Sequence, residues 1–84
     1  MNGLTKKILK KLSKRKLNIS SAESCTGGLF SFSLTKISGA SKVYSFGLVT
    51  YSYSSKNNLL KVSNNLLGRY GAVSKPVCIS MVKN

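Results

Sequence analysis

Fourteen lysines and arginines stand against a single acidic side chain, Glu23, and at a net charge of +13 every compact arrangement of the chain must overcome its own repulsion. The same charge helps solubility and attracts anions. Nucleic acid, an anionic membrane surface and a phosphorylated small molecule all answer to such a field, and charge alone does not choose among them. With 84 residues one small domain is expected, without a second, and its core is expected to be only marginally stable. Apolar residues make up 42% of the sequence and are spread along it, which fits a packed segment better than a disordered one.

Half of the positive charge is concentrated in Lys6, Lys7, Lys10, Lys11, Lys14, Arg15 and Lys16. Leu4, Ile8, Leu9 and Leu12 recur between them at helical spacing, so an amphipathic helix over about 4–16 is expected, with one apolar stripe and a solvated lysine face. Docking of this face on nucleic acid or membrane is the alternative, and the absence of aromatics among the lysines weakens the nucleic-acid form of it. Apolar runs such as Phe46 to Val49 are too short to span a bilayer. Leu4 to Leu17 alternates lysine with leucine, unlike the core of a secretion signal, so a cytoplasmic protein is expected. Cys25 and Cys78 do not form the spacing pattern of a secreted disulfide framework, and reduced thiols are expected.

Beyond the basic helix, Leu17 to Ala22 reads as a short strand that runs into Glu23-Ser24-Cys25-Thr26-Gly27-Gly28, a turn leading to a helix. That helix is expected over about Gly28 to Ile37, with Phe30, Leu34 and Ile37 on one face and Ser38-Gly39 ending it. Val43 to Tyr51 is nearly continuous in apolar and β-branched character, as for a strand covered on both faces. Ser54 or Ser55 can cap a helix carrying Leu59, Leu60 and Val62. A short helix through Leu66 and Leu67 stops near Gly68 or Gly71, and Ser74-Lys75-Pro76 opens a last one, with Cys78 in the core. This order predicts an α/β layered domain.

The chain has no histidine. That excludes Ser-His-Asp and Cys-His sites and the common histidine-ligated metal sites, and a lone carboxylate excludes paired-acid catalysis. A catalytic base must then be Lys, Tyr or Glu23, and the most economical pairing is a serine with a lysine. Ser24 stands where a tight strand-to-helix turn would lift it to the end of a sheet, and the amides that follow could hold a phosphate or oxyanion. Cys25 is the rival nucleophile but lacks a histidine to activate it. Lys56 falls at the start of the helix after the second strand, where the helix dipole disfavours its ammonium form, and Tyr51 at the strand's end could orient the amine or share its proton.

Five segments follow one another in order: Ala22-Glu23-Ser24-Cys25-Thr26-Gly27-Gly28, Ser38-Gly39-Ala40-Ser41, Gly47-Leu48-Val49-Thr50-Tyr51-Ser52, Lys56, and Tyr70-Gly71-Ala72-Val73-Ser74. In this order and at these separations the chain resembles the CinA C-terminal domain family, whose active members are nicotinamide-nucleotide amidohydrolases. The resemblance implies a three-layer α/β/α fold around a mixed sheet, of which this chain is about the first half. The family's later SGIAGP-like glycine-rich segment is absent. It further implies hydrolysis of the carboxamide of nicotinamide mononucleotide to nicotinate mononucleotide and ammonia in pyridine-nucleotide salvage, without a metal or other cofactor. Ser24 would be the nucleophile, with Tyr51 and Lys56 its partners, and the backbone of Thr26, Gly27 and Gly28 would hold an anionic part of the substrate or transition state. Activity is expected to need the missing half, from another polypeptide or within a homo-oligomer. An inactive remnant and a basic adaptor acting through residues 4–16 are the other readings. Tyr53 stands where the family commonly has Asn, so hydrogen bonding near Lys56 is expected to depart from the family's pattern.

Overall fold

The computed structural model describes residues 2–84. Helix α1 (Asn2–Lys14) buries Thr5 and Leu9 and turns its lysines to solvent. Lys16, in the left-handed conformation, reverses the chain into strand β1 (Ile19–Glu23), which is followed by helix α2 (Leu29–Thr35), a 3₁₀ turn (Ala40–Lys42) and strand β2 (Tyr44–Val49). Helices α3 (Tyr53–Leu60), α4 (Asn64–Tyr70) and α5 (Lys75–Lys83) complete the chain.

The two strands pair in parallel, with Ser21 opposite Gly47, Ala22 opposite Leu48 and Glu23 opposite Val49, after an irregularity between Ile19 and Ser21. A parallel pair needs a crossover, which α2 supplies. Alternation along the strands sorts the faces. Ser21 and Glu23 meet α2 through Ser31, while Ala22 and Leu48 pack on Leu60, Val62, Leu67, Val77 and Met81 of the α3–α5 side. On the other side Leu9, Leu34, Ala40 and Val43 form a second cluster with Leu12, Ile19 and Ile37. The result is three layers: α1 and α2, the sheet, and α3 to α5.

Side-chain caps set the later helices. Ser52 accepts from the Ser55 amide, Ser63 from the Leu66 amide and Ser74 from the Val77 amide. The α3 cap is therefore Ser52, not Ser54 or Ser55, because α3 starts at Tyr53 directly after the strand's exit. Other expectations are also corrected. Cys78 is exposed, since α5 buries Val77 and Met81 at i and i+4 and the residue after Val77 is rotated to solvent. Phe30 is exposed although Leu34 on the same helix is buried, and β2 is not covered on both faces, for Phe46 and Val49 are exposed too. Among the described residues no further strand or helix lies over that part of the sheet. No helix among them is long and apolar enough to cross a membrane.

Candidate functional site

Parallel pairing brings the C-terminal ends of β1 and β2 to the same end of the sheet, so the residues that leave each strand are neighbours. The Thr50 amide bonds the Glu23 carbonyl at 2.8 Å, which sets Ser24 beside Thr50. After β1 the chain turns sharply: the Gly27 amide donates to the Ser24 carbonyl and the Leu29 amide to the Thr26 carbonyl. Gly27 and Gly28 have φ of 60° and 104°, a region that side chains other than glycine rarely adopt.

Lys56, in α3, is fully buried. Its Nζ lies 2.7 Å from Ser24 Oγ, 2.5 Å from the Thr50 carbonyl oxygen and 3.1 Å from that of Tyr51. Its own carbonyl accepts from the amides of Lys61 and Val62, which folds the chain leaving α3 back onto the lysine's backbone. Burial pushes the Lys56 pKa down from its ordinary 10.5, against a smaller opposing electrostatic pull from the neighbouring Cys25. Desolvation, more than the helix dipole invoked from sequence, thus disfavours the ammonium form. A neutral amine has two N–H donors and one lone pair. Two of the three surrounding groups are carbonyls that can only accept, so the lone pair is left for the Ser24 hydroxyl.

Tyr51 contributes its carbonyl oxygen. Its side chain is 72% exposed, and its hydroxyl is not among the partners of Lys56. The Tyr53 hydroxyl accepts from the Ala72 amide at 3.2 Å and so ties α3 to the segment before α5, making no bond to Lys56. Cys25, next to Ser24, is exposed and unbridged.

Glu23, which the sequence offers as a possible base, is committed elsewhere. One carboxylate oxygen accepts from Thr26 Oγ1 and the Phe30 amide, both at 2.8 Å, and the other from the Ser31 amide at 3.0 Å and Ser31 Oγ at 2.6 Å. Burial alone would raise its pKa, but these donors prevail and hold it at about 2. The first-turn amides of α2 are consequently occupied by the protein's own carboxylate and do not form an anion site. Among the described residues the amides of Thr26 and Gly28 have no acceptor, so from the expected Thr26 to Gly28 cradle these two donors remain. Behind Glu23, Tyr44 Oη donates to Ser31 Oγ at 2.6 Å, and Ser21 Oγ lies 3.2 Å from Tyr44 Oη. This chain of hydroxyls occupies the space over Gly47, where a Cβ would collide with the Tyr44 hydroxyl. Among the described residues there is no group of three or more His, Cys, Asp or Glu side chains placed to hold a metal ion.

Sequence reasoning passed over Glu23 as the organiser of the turn and Thr50 as a ligand of the lysine. The signal for Glu23 was its position directly before the turn as the chain's only acid. Thr50 acts through a carbonyl, which leaves no residue-type signal.

The profile of the CinA C-terminal domain matches residues 1–84. The chain belongs to the CinA C-terminal domain family. It is 52% identical over 77 residues to the CinA-like protein of Prochlorococcus marinus strain MIT 9312, an alignment that covers 92% of this chain and 18% of that protein. Among solved structures, the competence/damage inducible protein CihA from Agrobacterium tumefaciens superposes with a TM-score of 0.95 at 38% identity, covering 98% of this chain and 50% of that one. The competence damage-inducible protein A (ComA) from Klebsiella pneumoniae gives 0.94 at 32% identity, covering 98% and 51%. The CinA-type chain described here thus spans about half the length of these solved relatives, and less than a fifth of the Prochlorococcus protein.

Proposed function

We infer that Ser24 and Lys56 are the nucleophile and base of an amide hydrolase, and that its substrate is the carboxamide of nicotinamide mononucleotide. The observation that carries the chemistry is the 2.7 Å approach of Lys56 Nζ to Ser24 Oγ, with two carbonyls taking the amine's other positions. The substrate comes from the likeness of the Glu23 to Gly28 and Thr50 to Lys56 segments to amidohydrolases of the family. In this reading Nζ takes the hydroxyl proton as Oγ bonds to the carboxamide carbon. The proton then passes to the departing nitrogen, which leaves as ammonia. Water attacks the resulting ester, Nζ takes the proton of the water and passes it to the departing Oγ, and nicotinate mononucleotide is released with Ser24 and the neutral amine restored. The Thr26 and Gly28 amides, in the turn that carries the nucleophile, are donors available to a developing oxyanion.

The test is ammonia release from nicotinamide mononucleotide by the domain completed with its second half. Turnover that disappears with Ser24→Ala supports the reading. Turnover that survives this change, or that disappears with Cys25→Ala instead, overturns the assignment of the nucleophile.

A further inference from the structure

The only acidic side chain, Glu23, is buried and taken up by four donors, so the lysines must find their counter-charges outside the molecule. On one side of the fold three of them converge. Lys6 and Lys10 stand one turn apart on α1, Lys36 follows α2, and together they rim a groove of about 520 Å³ between the two helices. That is the size of a small-ligand site. All three are exposed. Among the described residues Lys6 and Lys10 have no bonding partner, and Lys36 Nζ has only the Phe32 ring, 5.9 Å from its centroid. Two further features set this groove apart from a merely basic surface. Its floor is aliphatic, made by the buried Leu9 and Val43 and the half-buried Ile37. Where α2 gives way to the 3₁₀ turn, Gly39 is left-handed with φ of 84°, and the Ser38 and Gly39 amides have no acceptor among the described residues. Successive free amides beside a left-handed residue suit an anion, and both residues line the groove.

We propose that the α1–α2 groove binds an organic polyphosphate, with its phosphates among Lys6, Lys10 and Lys36 and its uncharged body on Leu9, Ile37 and Val43. Three ammonium groups around one concavity match an anion with several charges better than a monoanion. The aliphatic floor asks in addition for a body that inorganic phosphates lack, since apolar surface covered there leaves water. The groove is separate from Ser24 and Lys56, and none of its lining residues belongs to β1, β2 or the α3–α5 side. It therefore lies away from the open edge of β1 and does not depend on what covers that edge.

The experiment is a calorimetric titration of the chain with ATP and with inorganic tripolyphosphate, free of metal ions, at about 0.15 M salt, where charges act over about 8 Å. It reads binding alone, so its outcome is independent of the roles given to Ser24 and Lys56. ATP should bind one-to-one, and more tightly than tripolyphosphate by about fivefold or more, because only ATP covers the floor. Lys6→Gln, Lys10→Gln and Lys36→Gln combined should weaken ATP binding by about tenfold or more, through the loss of charge-assisted hydrogen bonds. Lys7→Gln, Lys11→Gln and Lys14→Gln combined remove the same charge from a face of α1 outside the groove. They should change the affinity by less than about threefold, because salt screens that face from the groove. All six lysines are exposed, so folding is not at stake in either variant. Equal losses in the two triple variants would reduce the effect to the general field of the chain and overturn the proposal. Tripolyphosphate binding as tightly as ATP, or no saturable binding of ATP at millimolar concentration, would overturn it as well.

Discussion

Replacing Glu23 with glutamine is the sharpest perturbation of the turn that carries Ser24. The carboxylate accepts four hydrogen bonds, two on each oxygen. A glutamine retains one accepting oxygen, but its NH₂ then confronts donors. If the amide replaces Oε2, Ser31 Oγ can rotate to accept while the Ser31 amide cannot, and a buried N–H is left without an acceptor. Hydrogen bonds to a charged group contribute about 1.5–3 kcal/mol each, and an orphaned buried donor costs about 1–3 kcal/mol. The pKa gives an independent magnitude. A fall from 4.5 to about 2 corresponds to about 3 kcal/mol, and discounting for nearby solvent leaves about 2–3 kcal/mol. The sign follows from linkage: the folded-state pKa is depressed, so the contribution is complete above the unfolded value near 4.5 and is lost as pH falls through about 2. Urea unfolding, followed by circular dichroism with sulfate added to favour the compact state, should show Glu23→Gln with a midpoint lower by about 2 M at pH 6, for a slope near 1 kcal/mol per molar. Comparing wild type with the variant at each pH cancels other titrating groups, and their difference should shrink steadily toward about pH 2. Equal stabilities at pH 6, or a difference that does not change on acidification, would refute the structural role given to Glu23.

The site itself is tested in the completed domain, where Ser24→Ala and Lys56→Ala should each lower kcat by about 10⁴-fold or more, and Cys25→Ala by less than about threefold, because nucleophile and base act as a unit; ammonia release measures this. Since burial depresses the Lys56 pKa below 10.5 and only the neutral amine can act as base, kcat/KM should rise with pH through that lowered value and level off before 10.5, which a pH-rate profile checks. Tyr51→Phe should leave kcat within about threefold, because the contact with Lys56 is made by the backbone carbonyl and survives the change. Gly47→Ala should destabilise the chain by about 1–3 kcal/mol in urea unfolding, because its Cβ would collide with the Tyr44 hydroxyl, and Gly47→Ala combined with Tyr44→Phe should recover part of that loss.

The parts of this architecture that sequence conveys are those written in residue type and spacing. A turn after β1 is legible because Gly27 and Gly28 are needed there, and the α5 start because Ser74 and Pro76 suit a first helical turn. Ser24 and Lys56 are prominent because no histidine competes with them. What stays hidden depends on tertiary context. Phe30 and Phe46 have the composition of core residues, and only the open side of a two-stranded sheet makes them exposed. Glu23 has the residue type of a base, but local geometry surrounds it with four donors and fixes it as an acceptor. Tyr51 displays its ring in the sequence, whereas its carbonyl is the part that reaches Lys56.

The fold explains why two residues 32 positions apart meet without any direct strand-to-strand turn. In an open parallel sheet the exits of neighbouring strands lie together at the carboxyl end, where α/β proteins commonly bind ligands. Here β1 exits into Ser24 and β2 exits through Thr50 and Tyr51 into α3. An antiparallel pairing would send these exits to opposite ends of the sheet. The parallel register of Glu23 with Val49 is therefore the primary determinant of the Ser24 to Lys56 contact. The crossover helix that enforces this register is anchored by Glu23 through Phe30 and Ser31. One residue thus couples the direction of the sheet to the placement of the nucleophile: its backbone carbonyl holds Thr50 and its side chain holds α2. Loss of that carboxylate should therefore disturb the Ser24 turn before it disturbs the α3–α5 cluster, whose contacts with Ala22 and Leu48 lie on the opposite face.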